Sequence, residues 1–532
     1  MAATLSVAAL VVLSSLVPPA LATDWYVDAL SGSNAHGGTS SLDAWRTITH
    51  AVASVPATGV QSVHVAPGTY DPALGERFPI SMRPGLQLIG DVAGARPMLT
   101  SYGTAVVLIE ITSSASNPQT IDASMKVEGL RLREALNGVK LEAYAGDVSP
   151  TLVDRHIERM SGGKCVNIWL PGPATCSARL ERIRCAGGGP VGQGDGLSVI
   201  SSALPGAQVS ASDCEFSDQH HVGVVFVGPG SLRLDRRRIE LNDYQGIGLF
   251  PLVDLQARSD CFDCSITDNM LDGCVISAQA PPPATPVLTA SFARCTIADN
   301  ASNSGAGIYA QLTGSSISSR SLDHSIVFGH TDDVDFSGAV NAVRSLVGDG
   351  SFDGVNGCFS ADPLFVDATD GDFRLKCASP CIDAAASAPP AGTLDLLGHA
   401  RDLDGDLDAV RGSDLGGFEF RPLELVSTGT LGTPLTLELW GPQGNASAVF
   451  WTRAGLVAPL ATPFGSFELD PALARTFRLV TVGASSPTQI VRNIPSHPAL
   501  VGQTYAFQAL TDSLAAPLSK AFTKGVQVTF AP

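Results

Sequence analysis

One apolar pattern recurs through the middle of the chain, between about Ile121 and Val347. Its copies are anchored by apolar residues 23 to 31 positions apart, at Phe216, Ile239, Ile266, Ile297 and Ile326. A glycine that opens a β-rich run follows each of the first four anchors, at Gly223, Gly246, Gly273 and Gly305. A coil of this length cannot bury its own inward face, so successive coils must stack on one another. The repeat therefore predicts an all-β chain folded as a parallel β-helix.

A polar position recurs in the same register as the apolar anchors. It is occupied by Gln219, Asn242, Asn269 and Asn300. Stacked amides hydrogen-bond from one coil to the next, as they do in cross-β ladders, and asparagine tolerates the left-handed backbone of a tight turn. We interpret this row as structural and not as a binding site.

The segment before the repeats has a pattern of its own. Asp43 is placed to cap a helix from Ala44 to about Val55, with Trp45 and Ile48 on its apolar face. Such a helix would cover the open end of a β-helix, which otherwise exposes unpaired backbone groups.

The motifs of this segment, YVDA, GGTS, AWRTITHAV, VHVAPGTY, GERFPI and GLQLIGD, span residues 25–91. They resemble the N-terminal module, itself of uncharacterised function, of secreted bacterial right-handed β-helix proteins of the pectate-lyase-like superfamily. The resemblance implies the right-handed superhelix. It does not imply the lyase reaction, because one fold serves many functions.

Two further segments follow the repeats. The motifs DPLFVD, GDFRL, SPCIDA, RDLDGD and SDLGGFE resemble the end segment of many secreted bacterial β-helix proteins, which often precedes a surface-anchoring signal. After Pro422, alternating strand candidates predict a small β-sandwich. In this last segment, Trp440 and Trp451 are either core residues or a sugar-stacking face. The predicted organisation is a signal peptide (1–22), a cap with the first coils (23–120), the repeats (121–359), an end segment that closes the β-helix (360–420) and a β-sandwich-like domain (421–532).

The N-terminus and the cysteines bear on localisation. An apolar run from Leu5 to Val17, followed by Ala20-Leu21-Ala22, has the form of a secretory signal peptide. We therefore expect a protein that is secreted or held at the cell surface, with no transmembrane segment after signal cleavage. Eleven cysteines fit an oxidising compartment, and Cys377 and Cys381 are candidates for a local disulfide.

The net charge limits the classes of partner. Thirty-three basic and 51 acidic residues give a formal charge of −18. Nucleic-acid binding needs clustered lysine and arginine, so we predict no nucleic-acid partner. We expect a monomer whose partners are polysaccharides or cell-surface components.

The acidic end segment raises the question of calcium. Asp402, Asp404 and Asp406 have DxDGD spacing, and Asp408 follows. An EF-hand loop needs a bidentate glutamate at position twelve, where this chain has Ser413. An ordinary Asp/Gly turn and a calcium site of another kind both remain open, so calcium is the one cofactor that the sequence suggests.

The sequence lacks a recognisable catalytic set. The NTD, DD, GHG and RIK motifs of galacturonases, which supply paired carboxylates, are not present as a set. In the repeat register His220 lies level with Asp243 on the next coil, about 4.8 Å away. If the solenoid carries a catalytic site, the candidates are Asp195, Asp218, His220, His221, Arg236 and Asp243. The alternatives are surface histidines and, for Arg236 to Arg238, a solvated turn.

These observations leave three functional hypotheses. The leading one is a non-catalytic, secreted or cell-surface protein that has a structural role or binds glycan or protein along its solenoid. The second is a polysaccharide lyase or glycoside hydrolase that acts on an acidic polysaccharide. The third is an adhesive protein stabilised by calcium.

Overall fold

The chain is represented by a computed structural model. The structure describes residues 22–532 except 93, 189–191, 252–255, 280–286, 301–304, 314–316, 337–339, 386–391, 402, 409, 442, 484–486 and 515–519. Residues 1–21, nearly all of the predicted signal peptide, lie outside the described part of the chain.

A parallel ten-stranded sheet runs along one side of a β-helix. Its strands follow one another in chain order, one from each coil. They are Ile80–Met82, Val107–Ser113, Asn137–Ala143, Val166–Leu170, Leu197–Ser201, Val224–Val227, Ile247–Phe250, Cys274–Gln279, Ala306–Thr313 and Asp332–Phe336.

A parallel 22-stranded sheet completes the solenoid, and most coils cross it in two strands separated by a short corner. The strands before the corner are Thr23–Val27, Gln61–Val65, Leu86–Gly90, Lys126–Glu128, Ala207–Ser212, Gly230–Asp235, Gln256–Phe262, Val287–Ala293, Ile317–Asp323 and Asn341–Val343. The strands after the corner are Thr69–Tyr70, Met98–Thr100, Arg131–Arg133, Glu215–Gln219, Arg238–Glu240, Ser265–Thr267, Thr296–Ala298, Ile326–Phe328 and Leu346–Val347. Thr151–Met160 and Thr175–Gly188 run through the corner, and Asp147–Val148 pairs with the start of the latter. The predicted parallel β-helix is confirmed.

The apolar anchors form a continuous buried column inside the solenoid. Phe216 pairs with Ile239, Ile239 with Ile266, and Ile266 with Ile297, and all four are fully buried. The fifth anchor was predicted one residue too early, since Ile297 pairs with Val327 and not with Ile326. Ile326 instead packs against the end segment, which explains why it too is apolar.

The predicted amide row is confirmed in the turn that precedes the ten-stranded sheet. The Asn242 side-chain amide donates to Oδ1 of Asn269, and that of Asn269 donates to Oδ1 of Asn300, both at 2.7 Å. The backbone N–H of Gln219 donates to Oδ1 of Asn242 at 3.1 Å. All four side chains are buried, so the polar groups of each coil depend on the next coil for their hydrogen-bond partners.

The glycine row lies at the end of this same turn. A Cβ on Gly223 or Gly246 would lie within 2.8 Å of the carbonyl oxygen of the next glycine, so only glycine fits. The row continues at Gly307, because a Cβ on Gly273 would lie 2.6 Å from the Gly307 oxygen. The prediction of Gly305 was wrong, since the turn after Asn300 is longer than those of the preceding coils.

The corner of the 22-stranded sheet carries an alternating column of charges in left-handed backbone conformation. The residues, with φ between 50° and 56°, are Asp154, Arg182, Asp213, Arg236, Asp263 and Arg294. Each aspartate forms a bidentate pair with the arginine of the following coil, at 2.6 to 2.9 Å. We call this column the charge ladder.

Next to the ladder, Arg237 points into the solenoid. Its side chain is fully buried, and its guanidinium nitrogens have no hydrogen-bond partner among the described residues. Burial lowers the pKa of Arg237, because desolvation disfavours the charged form.

The N-terminal helix starts later than predicted. It spans Ile48–Ser54, after a 3-10 turn at Ser41–Asp43, and its cap is Thr47, whose side chain accepts the His50 N–H at 3.2 Å. The buried carboxylate of Glu76 accepts the N–H groups of Ile48 and Thr49, at 2.6 and 2.9 Å. These contacts with a distant residue fix the start, and Asp43 instead accepts the Gly37 N–H.

The end segment packs along the side of the last coils. Its antiparallel strands Phe365–Asp367 and Asp372–Leu375 flank a 3-10 turn at Ala368–Asp370. The fully buried Arg401 reaches back to the solenoid and pairs with Asp263 at 2.7 Å. The Gly417 N–H donates to the hydroxyl of Thr296 at 2.9 Å. The segment is thus anchored laterally through polar contacts.

The predicted Cys377–Cys381 disulfide is absent from the structure. All eleven cysteines are described, and all are free. Cys381 is buried in an apolar cluster with Phe373 and Phe418. It packs there as a small apolar side chain, which explains a cysteine at this position without a disulfide.

The C-terminal domain is the predicted β-sandwich. One antiparallel sheet contains Leu423–Leu425, Pro434–Leu439 and Thr488–Asn493. The other contains Ala446–Thr452, Arg475–Thr481, Thr504–Asp512, Lys520–Phe522 and Val526–Thr529, and a hairpin joins Leu460–Thr462 to Gly465–Phe467. A 3-10 turn lies at Pro498–Leu500. Both sheets contribute to one apolar core, in which Leu437, Val449 and Phe507 are buried.

Candidate functional site

Two neighbouring histidines lie in the turn between the amide row and the ten-stranded sheet. His220 and His221 directly follow the buried Gln219, and the glycine row ends their turn at Gly223. Because both ends of the turn are held by interior contacts, the two imidazoles project from a rigid part of the coil. Both are partly exposed.

An aspartate from the preceding coil links one histidine to a lysine. Oδ1 of Asp195 lies 2.6 Å from Nδ1 of His221, and Oδ2 lies 3.2 Å from the Lys164 ammonium. The Asp195 side chain is only 7% exposed, whereas Lys164 and His221 remain accessible. The ammonium also donates to the hydroxyl of Ser198 at 2.6 Å. A nearly buried carboxylate therefore orients a cation and an imidazole that face solvent.

The following coil contributes a second set of contacts. Nδ1 of His220 lies 2.8 Å from Oδ2 of Asp243, which bears out the predicted alignment of these residues. The Tyr244 ring lies 4.7 Å from that of His221, centre to centre. Four successive coils thus place two His–Asp pairs, a lysine and a tyrosine on one side of the solenoid.

Two members of this cluster were missed in the sequence. Lys164 was missed because its coil lacks the glycine that marks the repeat. Cys165, the next residue, occupies the position that Gly196 holds on the following coil. Tyr244 was within reach of sequence reasoning, because the register that aligns His220 with Asp243 also aligns His221 with Tyr244.

Two predicted candidates lie elsewhere on the coil. Arg236 belongs to the charge ladder, where it pairs with Asp213 at 2.7 and 2.9 Å, and no contact joins it to the histidines among the described residues. Asp218 is exposed at a left-handed position with φ of 54°. The nearby Asp268 shares this position on a later coil, and its pKa is raised to about 6 by burial and by the carboxylates of Asp299 and Glu240.

The outer face of the ten-stranded sheet continues from this cluster. Lys140, Asn167 and Ser198 are paired in register across three strands. The Trp169 ring is partly exposed, lies 5.9 Å from the Lys140 ammonium and contacts Tyr144 edge-on at 6.2 Å. This face offers hydrogen-bonding groups and, beside the Lys140 ammonium, a flat apolar ring.

The end segment brings a different set of carboxylates together. Asp404 and Asp406 lie with Asp383, each with one oxygen within 4.8 Å of the others. Asp383 was missed because it comes from the preceding turn, and its pKa is raised to about 6 by burial and by Asp406 and Asp404. Carboxylate oxygens are the ligands that calcium prefers. Of the other predicted ligands, Asp402 lies outside the described residues, and the Asp408 carboxylate accepts the N–H of Val410 in its own turn.

The fold and the cluster together define a parallel β-helix protein with a titratable cluster on its outer face. Residues 30–141 match the family described as Protein of unknown function (DUF1565). Among curated proteins, none matches the chain. The matched range overlaps the segment with the N-terminal resemblance, while the pectate-lyase-like assignment stays a prediction.

A comparison with solved structures finds matches with low sequence identity and low TM-scores. The A-module of the mannuronan C-5 epimerase AlgE6 from Azotobacter vinelandii is 14% identical, over 59% of this chain and 94% of the module, with a TM-score of 0.33. The GH136 lacto-N-biosidase from Eubacterium ramulus is 12% identical, over 60% and 67%, with a TM-score of 0.29. Tailspike protein 2 of bacteriophage CBA120 is 8% identical, over 92% and 74%, with a TM-score of 0.26. Among the described residues, no helix has the length and apolar character needed to span a bilayer.

Proposed function

We propose that this is a secreted protein that binds an acidic polysaccharide on the outer face of the ten-stranded sheet and cleaves it by β-elimination at a uronic-acid residue. The observation that carries the proposal is the contact chain from Lys164 through Asp195 to His221, with Tyr244 beside it. Secretion is supported by the signal-like segment 1–22. Of the three hypotheses drawn from the sequence, this cluster favours the second, a polysaccharide lyase or glycoside hydrolase that acts on an acidic polysaccharide.

Each group of the cluster has a role that its contacts support. Asp195 accepts a hydrogen bond from Nδ1 of His221, which leaves Nε2 free as a general base. The Lys164 ammonium stabilises the negative charge that builds up on the uronate carboxylate when the neighbouring proton leaves. Tyr244 carries a hydroxyl that can protonate the leaving oxygen.

The resulting reaction balances without a co-reactant. Nε2 of His221 takes the proton from C5 of the uronate, and the bond from C4 to the bridging oxygen breaks. That oxygen takes the proton of the Tyr244 hydroxyl, and a double bond forms between C4 and C5. The products are two shorter chains, one of which ends in an unsaturated uronate.

The sheet face beside the cluster supports the choice of a sugar polymer. The Trp169 ring offers a flat surface for the apolar face of a pyranose, while Lys140 and Asn167 offer donors for hydroxyl and carboxylate groups. Lys140 lies on one strand and Asn167 and Trp169 lie on the next, so a polymer lying along the solenoid axis would contact both strands in turn.

The test is an assay of the full chain on polyuronates and on neutral polysaccharides. The ultraviolet absorbance of the unsaturated product reports elimination, and deuterium exchange at C5 in heavy water, followed by NMR, reports proton removal alone. His221→Ala is expected to lower the rate about 100-fold or more, since it removes the general base.

His64→Ala is the matched control, because His64 forms a comparable pair with Asp24 at 2.9 Å on an early coil. Its rate should equal that of the wild type. Binding of polyuronate without product or exchange would refute the proposed reaction and return the protein to the non-catalytic hypothesis.

A further inference from the structure

The C-terminal β-sandwich contains an open cleft between its two sheets. The cavity measures about 460 Å³, which falls in the range of small-molecule sites. Its walls include Trp451, Phe477, Tyr505 and Phe530, and its rim carries Arg453 and Arg492. Both sheets contribute residues, so the shape of the cleft is set by the packing of the sandwich.

Aromatic rings form one wall of the cleft. The planes of Trp451 and Tyr505 are nearly parallel, at 2°, with ring centres 5.6 Å apart. Tyr505 stacks in turn on Phe530, with centres 4.9 Å apart. Trp451 is only partly buried, whereas Trp440 packs against Phe420 in the interior with 5% exposure. Of the two tryptophans singled out in the sequence, only Trp451 therefore faces a ligand-sized space.

The charge at the cleft is opposite to that of the whole chain. The chain carries −18, yet the described lining holds two arginines and no aspartate or glutamate. The Arg453 guanidinium lies 5.9 Å from the Trp451 ring centre, and within the described residues neither Arg453 nor Arg492 has a carboxylate partner. Arginines of the solenoid, such as Arg182 and Arg236, are instead paired with aspartates. Two exposed, unpaired arginines beside an aromatic wall are complementary to an anion that has an apolar face.

We propose that this cleft is a second carbohydrate site that binds one uronic-acid residue. The apolar face of the pyranose lies on the ring of Trp451, which Tyr505 supports from behind by stacking. The carboxylate is held by Arg453 and Arg492, whose guanidinium groups form charge-assisted hydrogen bonds with carboxylates. The choice of a uronate over another carboxylate rests on the function proposed above. A second site on the same polymer raises its local concentration at the solenoid, so the two sites reinforce each other.

The test is calorimetric titration of the full chain with a short oligouronate. The affinity is expected to fall about ten-fold or more in Trp451→Ala, which removes the ring that contacts the sugar. The same loss is expected in Arg453→Gln/Arg492→Gln, which removes the guanidinium groups that bind the carboxylate. The double arginine variant changes only exposed side chains, so it tests the site even if Trp451→Ala fails to fold. Arg478→Gln is the matched control, since Arg478 is exposed on the strand that contributes Phe477 to the cleft.

The outcomes separate this proposal from the proposed reaction. His221→Ala should bind the oligouronate at the cleft as the wild type does, and the cleft variants should retain turnover of short substrates. If no polyuronate is turned over but the cleft variants still lose oligouronate binding, the cleft site stands and the reaction does not. Unchanged affinity in both cleft variants, or binding of a peptide with a free C-terminal carboxylate in preference to the uronate, would overturn the cleft site.

Discussion

Replacing Asn269 with alanine should destabilise the solenoid far more than an ordinary polar substitution, because this side chain connects three coils. Its Oδ1 accepts the backbone N–H and the side-chain amide of Asn242, at 3.2 and 2.7 Å. Its own amide donates to the carbonyl of Ile239 at 3.1 Å and to Oδ1 of Asn300 at 2.7 Å. The substitution removes all four hydrogen bonds within a fully enclosed turn.

The expected cost follows from these contacts. A hydrogen bond contributes about 1 kcal/mol net, and a buried group left unsatisfied costs about 1–3 kcal/mol. Two groups keep a second partner, since the Asn242 amide also reaches the Phe216 carbonyl and Oδ1 of Asn300 also accepts the Asn269 N–H. We therefore expect the free energy of unfolding of the solenoid to fall by about 3–5 kcal/mol.

Urea denaturation followed by circular dichroism measures this loss, and hydrogen exchange with mass spectrometry locates it. Exchange should accelerate in residues 215–242 and 265–300, while the C-terminal sandwich serves as an internal reference. Asn117→Ala is the matched control, because Asn117 is exposed, and it should change the stability by less than about 0.5 kcal/mol. A loss below about 1 kcal/mol for Asn269→Ala would refute the interpretation of the amide row as a structural ladder.

Two further predictions concern buried charges. Arg237→Met should raise the free energy of unfolding by about 1–4 kcal/mol, because it removes a buried guanidinium that has no partner among the described residues; a lower urea midpoint would contradict this. Asp268→Asn should raise the melting temperature above about pH 7 and have little effect near pH 4. The pKa of Asp268 in the folded chain, about 6, exceeds its value near 3.9 in the unfolded chain, so its protonated form favours folding, and this contribution is lost as the pH rises through 6. Melting curves across this pH range measure the difference, and an effect that does not depend on pH would point to a cause other than titration.

The parts of the fold that the sequence predicted are those in which one position repeats in every coil. An interior site admits few residue types, so the apolar anchors and the amide row appear as recurring letters. The prediction slipped where the turn length changed, at Gly305, and on the coil after Ile297, whose anchor is Val327 and not Ile326. Both errors arise because a change in the length of a surface turn leaves the stacking of the strands unchanged. It alters only the number of residues between one repeat and the next.

The candidate site was predicted less completely, for a different reason. Its residues face outwards, so no packing constraint repeats them from coil to coil, and Lys164 and Ser198 follow no pattern. Asp383 joins Asp404 and Asp406 across about twenty positions of chain, a distance that no local motif reports. The charge ladder was missed because aspartate and arginine alternate at its position. An alignment of coils looks for the same residue in each copy, and not for residues of opposite charge.

The charge ladder has a consequence for how such a solenoid changes its length. Each corner residue from Arg182 through Arg236 to Asp263 is opposite in charge to its neighbours on both sides. Loss or duplication of one coil in this stretch would bring two aspartates or two arginines together at the corner, whereas loss or duplication of two adjacent coils would keep every pair intact. In electrostatic terms the unit of growth is thus a pair of coils, although the backbone repeats with every single one.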